Sequence, residues 1–186
     1  MRHGETKYQE KKIPKVYTEE ENPIIPLTER SKRNLKKIAK ELKEKNIDVI
    51  YSSPYKRTRQ TAEIVAEEIS KDIVFDKRLI DIKLGVLHGR SVLGYYKTYL
   101  KNKSFSNKPE KGENWRDVQK RVIDFIKEID NKYTNKKILI VSHGDPVWFL
   151  AGFLKGIKGE ELFLKRGKYF GKYKGFYAST SQYIEI

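Results

Sequence analysis

Three short stretches hold the residues of this sequence that could do chemistry together. "RHG" sets Arg2 beside His3, "SSPYKR" ends in Arg57, and "ILIVSH" ends in His143. A guanidinium binds phosphate oxygens through paired, charge-assisted hydrogen bonds. A neutral imidazole can attack phosphorus and hold the phosphoryl group covalently. Two arginines and two histidines brought to one place would make a phosphate site with its own nucleophile. The four are far apart in sequence, so the fold has to gather them.

The elements that could do so are legible as alternating strands and helices. "IDVIYSS" and "DIVFD" are short and β-rich, and "KKILIVSH" is the strongest strand in the chain. Between them, "LTERSKRNLKKIAKELKEKN" carries Leu35, Ile38, Ala39 and Leu42 at helical spacing, with Thr28 as cap and Asn46 as stop. Ser53 is expected to cap a second helix that has Pro54 in its first turn and a stripe of Ala62, Val65, Ala66 and Ile69. "NWRDVQKRVIDFIKEIDNKY" puts Val118, Val122, Phe125, Ile126 and Ile129 on one face. "GDPVWFLAGFLKGI" opens another helix at Gly144. Residues 7–26 and 76–112 read as irregular, apart from one helix near "LGYYKTYLK", and "SQYIEI" as a last strand. The alternation predicts an α/β fold, a three-layer α/β/α sandwich on a mostly parallel sheet. In such sheets ligands bind at the carboxyl ends of the strands, where His143 and the "SSPYKR" turn both fall.

These motifs, in this order, resemble the histidine phosphatase superfamily, which includes the phosphoglycerate mutase-like enzymes. "RHGET" is similar to its signature, "SSPYKRTRQTAE" to its second motif, "RLIDIKLGVLHG" to its acid-bearing loop and "VSHGD" to its second histidine motif. The resemblance implies that His3 is the phosphorylated nucleophile and that Arg2 and Arg57 clamp the phosphate. His143 stabilises the charged oxygens, and Asp81 stands where the family has its proton donor. Gln9 occupies the place of a frequent asparagine contact to phosphate, and Gly144, Glu113 and Asn114 are expected to face substrate. His88 is expected at the pocket rim or in a structural role, and Arg121 as a brace for its helix. The implied activity is a phosphomonoester hydrolase with a phosphohistidine intermediate, needing no metal or other cofactor, acting on a small phosphorylated metabolite. The alternatives are a phosphoglycerate mutase-type transfer, or a histidine phosphatase-like module within a larger, tRNA-handling protein. The segment 76–112 is short for a mutase, which favours hydrolysis.

Composition bounds the rest. The 186 residues suit a single domain, 1–186, with a real core at an apolar share of 38%. No run approaches the ~20 apolar residues of a membrane span. No cysteine is present to form a disulfide or thiolate site. The expected setting is the cytoplasm, with no membrane partner. Forty Lys+Arg against 25 Asp+Glu give a formal charge of +15, which draws anions inward. No motif marks nucleic acid as a direct substrate, and the oligomeric state is not readable. In the family a hydrophobic strand normally precedes "RHG"; here only Met1 does. The expectation is a domain truncated at its N-terminus or excerpted from a longer chain, with that first strand missing.

Overall fold

In the computed structural model, residues 1–95, 105–157, 161 and 178–185 are described. The sheet grows from β1 (Val49–Ser52), which pairs in parallel with β2 (Ile73–Phe75) on one side and β3 (Ile138–Val141) on the other. Register is set by Ile50 opposite Ile73 and Leu139, and by Ser52 opposite Phe75 and Val141. Residues 1–3 continue the sheet beyond β3. The Met1 nitrogen donates to Ile140 O, Ser142 N–H to Met1 O and His3 N–H to Ser142 O, each at 2.7–3.0 Å. "RHG" thus leaves the sheet beside the end of β3, the position the sequence argument required.

Both faces of the sheet are covered, as a parallel sheet demands. On one face lie α3 (Glu29–Lys43) and α4 (Lys56–Ile69), packed on each other and on Ile50, Leu139 and Val141 through Leu35, Ala39, Leu42, Ala62 and Val65. On the other lie α6 (Trp115–Lys132) and α7 (Gly144–Leu154), which bury Trp115, Val122, Phe125, Trp148 and Phe149 around Tyr51. α3 starts where Thr28 Oγ1 accepts the Ser31 N–H. α6 starts at a reciprocal cap between Asn114 and Asp117. Gly144 to Gly152 of α7 are all buried, because it lies in the core with its N-terminus at the end of β3. Among the described residues no helix is long and apolar enough to cross a membrane.

Three readings need correction. Ser53 does not cap α4: the helix begins after Tyr55, with no side-chain cap, and the Ser53 hydroxyl is used elsewhere. Residues 7–26 are not wholly irregular, since single helical turns form at Lys7–Glu10 (α1) and Glu21–Ile24 (α2). Thr6 and Gln9 cap the first reciprocally. A further turn, α5 (Val92–Tyr95), begins the helix expected near 93–101; the remainder of that stretch lies outside the described residues. Residues 181–185 form no strand. Ser181 sits in left-handed backbone (φ 64°), which breaks extension; Ser181 N–H to His3 O and Arg2 N–H to Gln182 O tie the segment to the sheet edge, and Tyr183 packs against the core there.

Candidate active site

The glycine of "RHG" explains how closely this stretch packs. A Cβ on Gly4 would collide with Ser31 Oγ and lie 2.9 Å from Leu35 Cδ1. Its absence lets Gly4 N–H donate to Thr61 Oγ1, which itself donates to Arg57 O. The first and second motifs are therefore tied to each other through the Thr61 hydroxyl, which bridges their backbones.

His3 is 2% exposed, and its Nδ1 lies 2.7 Å from Gly4 O. A carbonyl only accepts, so Nδ1 carries the proton and Nε2 presents a lone pair. Arg57, fully buried, points its Nε–H at that Nε2 from 3.3 Å. His143 is also fully buried, and its ring centroid is 5.3 Å from that of His3. Ser53 Oγ accepts the Tyr55 N–H and lies 2.9 Å from His143 Nε2, a pair in which either atom can donate. His143 Nδ1 has no hydrogen-bond partner and sits 3.6 Å from Asp81 Oδ2, and a carboxylate oxygen facing it favours the tautomer with the proton on Nδ1. Asp81 also accepts from Arg57 Nη2 at 3.1 Å. Burial, then the Arg57 charge, push the proton affinity of both histidines well below the usual imidazole range. Both rings are neutral at pH 7.

Asp81 is held by a frame that the sequence hinted at only in part. Arg121 does brace, but what it braces is the acid loop. Its Nη1 donates to Arg78 O and Ile80 O, and its Nη2 to Asp81 O. Glu113 holds Arg121 through both carboxylate oxygens and accepts the Lys83 N–H. Ser142 Oγ donates to Leu79 O. Glu113 and Asn114, expected to face substrate, are instead spent on this frame and on the cap of α6.

A cleft of about 300 Å³ opens over Arg2, Asn22, Asp81 and Gly144, with Tyr8, Gln9, Ile13, Lys15, Tyr17 and Val92 toward its mouth. Gly144 lies in the first turn of α7, where the helix dipole favours an anion. Gln9 borders the cleft, yet its Oε1 accepts from Thr6 and its Nε2 donates to the Tyr17 hydroxyl. His88 lies at the rim as expected, and also stitches it: Nδ1 faces Tyr17 O and Nε2 accepts the Leu84 N–H. Ser53 and Asn22 were missed by sequence reasoning. The "SSP" serine was open to notice; nothing marked Asn22.

The family model of the histidine phosphatase superfamily (branch 1) matches residues 1–167. The chain belongs to that superfamily. It is 33% identical to phosphoserine phosphatase 1 of Hydrogenobacter thermophilus over 137 residues, which is 70% of this chain and 65% of that protein. It is 35% identical to a 2,3-bisphosphoglycerate-dependent phosphoglycerate mutase of Thermoplasma acidophilum over 143 residues, 74% of this chain and 67% of the relative. The chain thus spans about two thirds of the length of these curated relatives. Among solved structures, Bacillus stearothermophilus YhfR matches with a TM-score of 0.73 at 27% identity, covering 87% of this chain and 80% of that one. A mycobacterial glucosyl-3-phosphoglycerate phosphatase complexed with VO3 matches at 0.75 and 20% identity, covering 87% and 81%, which is a likeness of fold.

Proposed function

We propose that this histidine phosphatase domain hydrolyses phosphomonoesters of a small metabolite through a phosphohistidine at His3. The observation that carries the reading is the unprotonated His3 Nε2, buried and flanked by Arg57 and by the Asp81–His143 pair. Arg2, Arg57 and the Nδ1–H of His143 neutralise the phosphoryl oxygens, with the start of α7 behind them. His3 Nε2 attacks in line. The P–N bond forms as the bond to the leaving oxygen breaks, and protonated Asp81 gives that oxygen its proton. Water then attacks phosphorus, Asp81 takes its proton, and the P–N bond breaks to release orthophosphate. The cationic side chains supply the neutralisation, so activity is expected to survive EDTA. Loss in EDTA with rescue by a divalent ion would contradict this reading. The reaction is placed in the cytoplasm, where phosphorylated metabolites are found.

The similarity to the Thermoplasma acidophilum mutase favours one rival, transfer between positions of a phosphorylated sugar acid. The two are separated by supplying 3-phosphoglycerate with and without 2,3-bisphosphoglycerate. Hydrolysis releases orthophosphate in both cases; a mutase makes 2-phosphoglycerate and depends on the bisphosphate.

A further inference from the structure

Arg57 has two hydrogen-bonding forks. The end fork is taken by Asn22: Nη1 donates to the Asn22 backbone oxygen and Nη2 to its Oδ1 at 2.9 Å. The side fork faces the reacting centre, with Nε toward His3 Nε2 and Nη2 toward Asp81 Oδ2. The rings of Tyr17 and Tyr55 lie 4.7 and 5.4 Å from the guanidinium carbon. The group is rigid and planar, so gripping one fork sets the direction of the other. Asn22 is itself only 5% exposed. It sits in α2, where its N–H donates to Thr18 O and the Glu21 N–H to Thr18 Oγ1.

Both oxygens that Asn22 offers are uncharged. A carboxylate there would grip the fork harder but would cancel charge that a phosphoryl dianion must find on Arg57. We propose that Asn22 is a positioning residue for phosphoryl binding: it aims the side fork of Arg57 at the phosphoryl group and, being an amide, leaves the guanidinium charge for that group. This rests on the phosphohistidine reading above.

The experiment compares the whole chain with Asn22→Asp and Asn22→Ala. It measures melting temperature, kcat and KM for p-nitrophenyl phosphate, and the inhibition constant of inorganic phosphate. Asp is isosteric and keeps both acceptors, so a purely structural role predicts that it replaces Asn without loss. The proposal predicts that Asn22→Asp melts no lower than the parent while KM and the phosphate inhibition constant rise by at least about tenfold. Asn22→Ala keeps the backbone acceptor and the charge. Its loss is expected chiefly in kcat, about tenfold, because small misplacements at a reacting centre are costly. An Asp variant that binds phosphate as tightly as the parent overturns the proposal. If the Asp variant fails to fold, the Ala variant decides, and unchanged kcat overturns the proposal. Failure of the underlying reading looks different: the parent itself would neither hydrolyse the ester nor be inhibited by phosphate.

Discussion

Behind Asn22 and Asp81 of the cleft lining, His3, Arg57 and His143 make a buried floor, each exposed by 2% or less and fixed where the chain leaves the sheet or enters a helix beside it. At the mouth, Tyr8 and Val92 lie on single helical turns, and exposed Lys15 lies on an isolated antiparallel bridge to Ser91. Residues 14–17 and 89–92 there are joined by backbone bonds from Val16 to Arg90, Gly89 to Tyr17 and Val92 to Pro14. The floor is over-determined: each ring nitrogen and each fork of Arg57 has a partner or a single direction left to it. The mouth is held by these backbone bonds together with side-chain bonds such as Gln9 to Tyr17 and Tyr8 to Glu21. On the proposed reading, chemistry belongs to the floor and choice of substrate to the mouth, so the two should respond differently to mutation.

The sharpest difference is expected at the nucleophile. His3→Ala should lower kcat for p-nitrophenyl phosphate on the order of 10⁴-fold or more while the protein still melts cooperatively. A loss of only a few fold would dissolve the distinction between floor and mouth. Asp81→Asn comes next and depends on the leaving group. An alkyl phosphate, whose alkoxide needs a proton, should lose about 10²–10³ in kcat. The nitrophenyl ester should lose much less. Equal losses for both would assign Asp81 to holding Arg57 and not to proton transfer.

Glu113→Gln probes the frame behind the floor. It removes the charge opposite Arg121 and loosens the loop that carries Asp81, so kcat should fall about tenfold and stability by about 1–3 kcal/mol. An unchanged rate with lowered stability would confine Glu113 to folding. The buried histidines add a pH signature. Both take up protons less readily in the fold than in the unfolded chain, where they titrate near 6.5. Below that pH the unfolded chain binds protons that the folded one does not. Their contribution is complete above about pH 6.5 and is lost on acidification, at up to ~1.4 kcal/mol per pH unit for each ring. Urea titrations from pH 7.5 to 5 should show that fall, and His3→Ala should make it shallower. The smallest effect belongs to the mouth. Lys15→Ala should leave kcat/KM for the nitrophenyl ester within about threefold. Among esters whose alcohol carries a second anion it should reorder preference, which a substrate panel would reveal.

The same contrast governs what the sequence disclosed. The grouping at the floor was legible in part: phosphate chemistry singles out Arg2, His3, Arg57 and His143 in short motifs, the family resemblance adds Asp81, and strong apolar periodicity placed α3, α4, α6 and β3. Partnerships were harder to read. Ser53 reads as a helix cap from sequence, since hydroxyls before a proline often are, yet its hydroxyl faces His143 across 90 positions. Glu113 and Asn114 look like polar substrate contacts because nothing local reveals that Arg121, eight residues after Glu113, turns back to meet it. Gln9 keeps an amide at the expected place, but Thr6 and Tyr17 occupy its polar atoms. Asn22 lies in a polar stretch that carries no periodicity, and only the three-dimensional fold sets it against Arg57.

The account stands on a covalent bond to one nitrogen of His3. The direct test is to mix the protein with a phosphate ester, quench at alkaline pH within the first turnovers, and locate the phosphoryl group by peptide mass spectrometry. The account predicts an acid-labile, alkali-stable phosphoryl group on His3, present in Asp81→Asn and missing from His3→Ala. A phosphoryl group on Ser52, Ser53 or Asp145, or full turnover with none trapped on His3 under any quench, would contradict it.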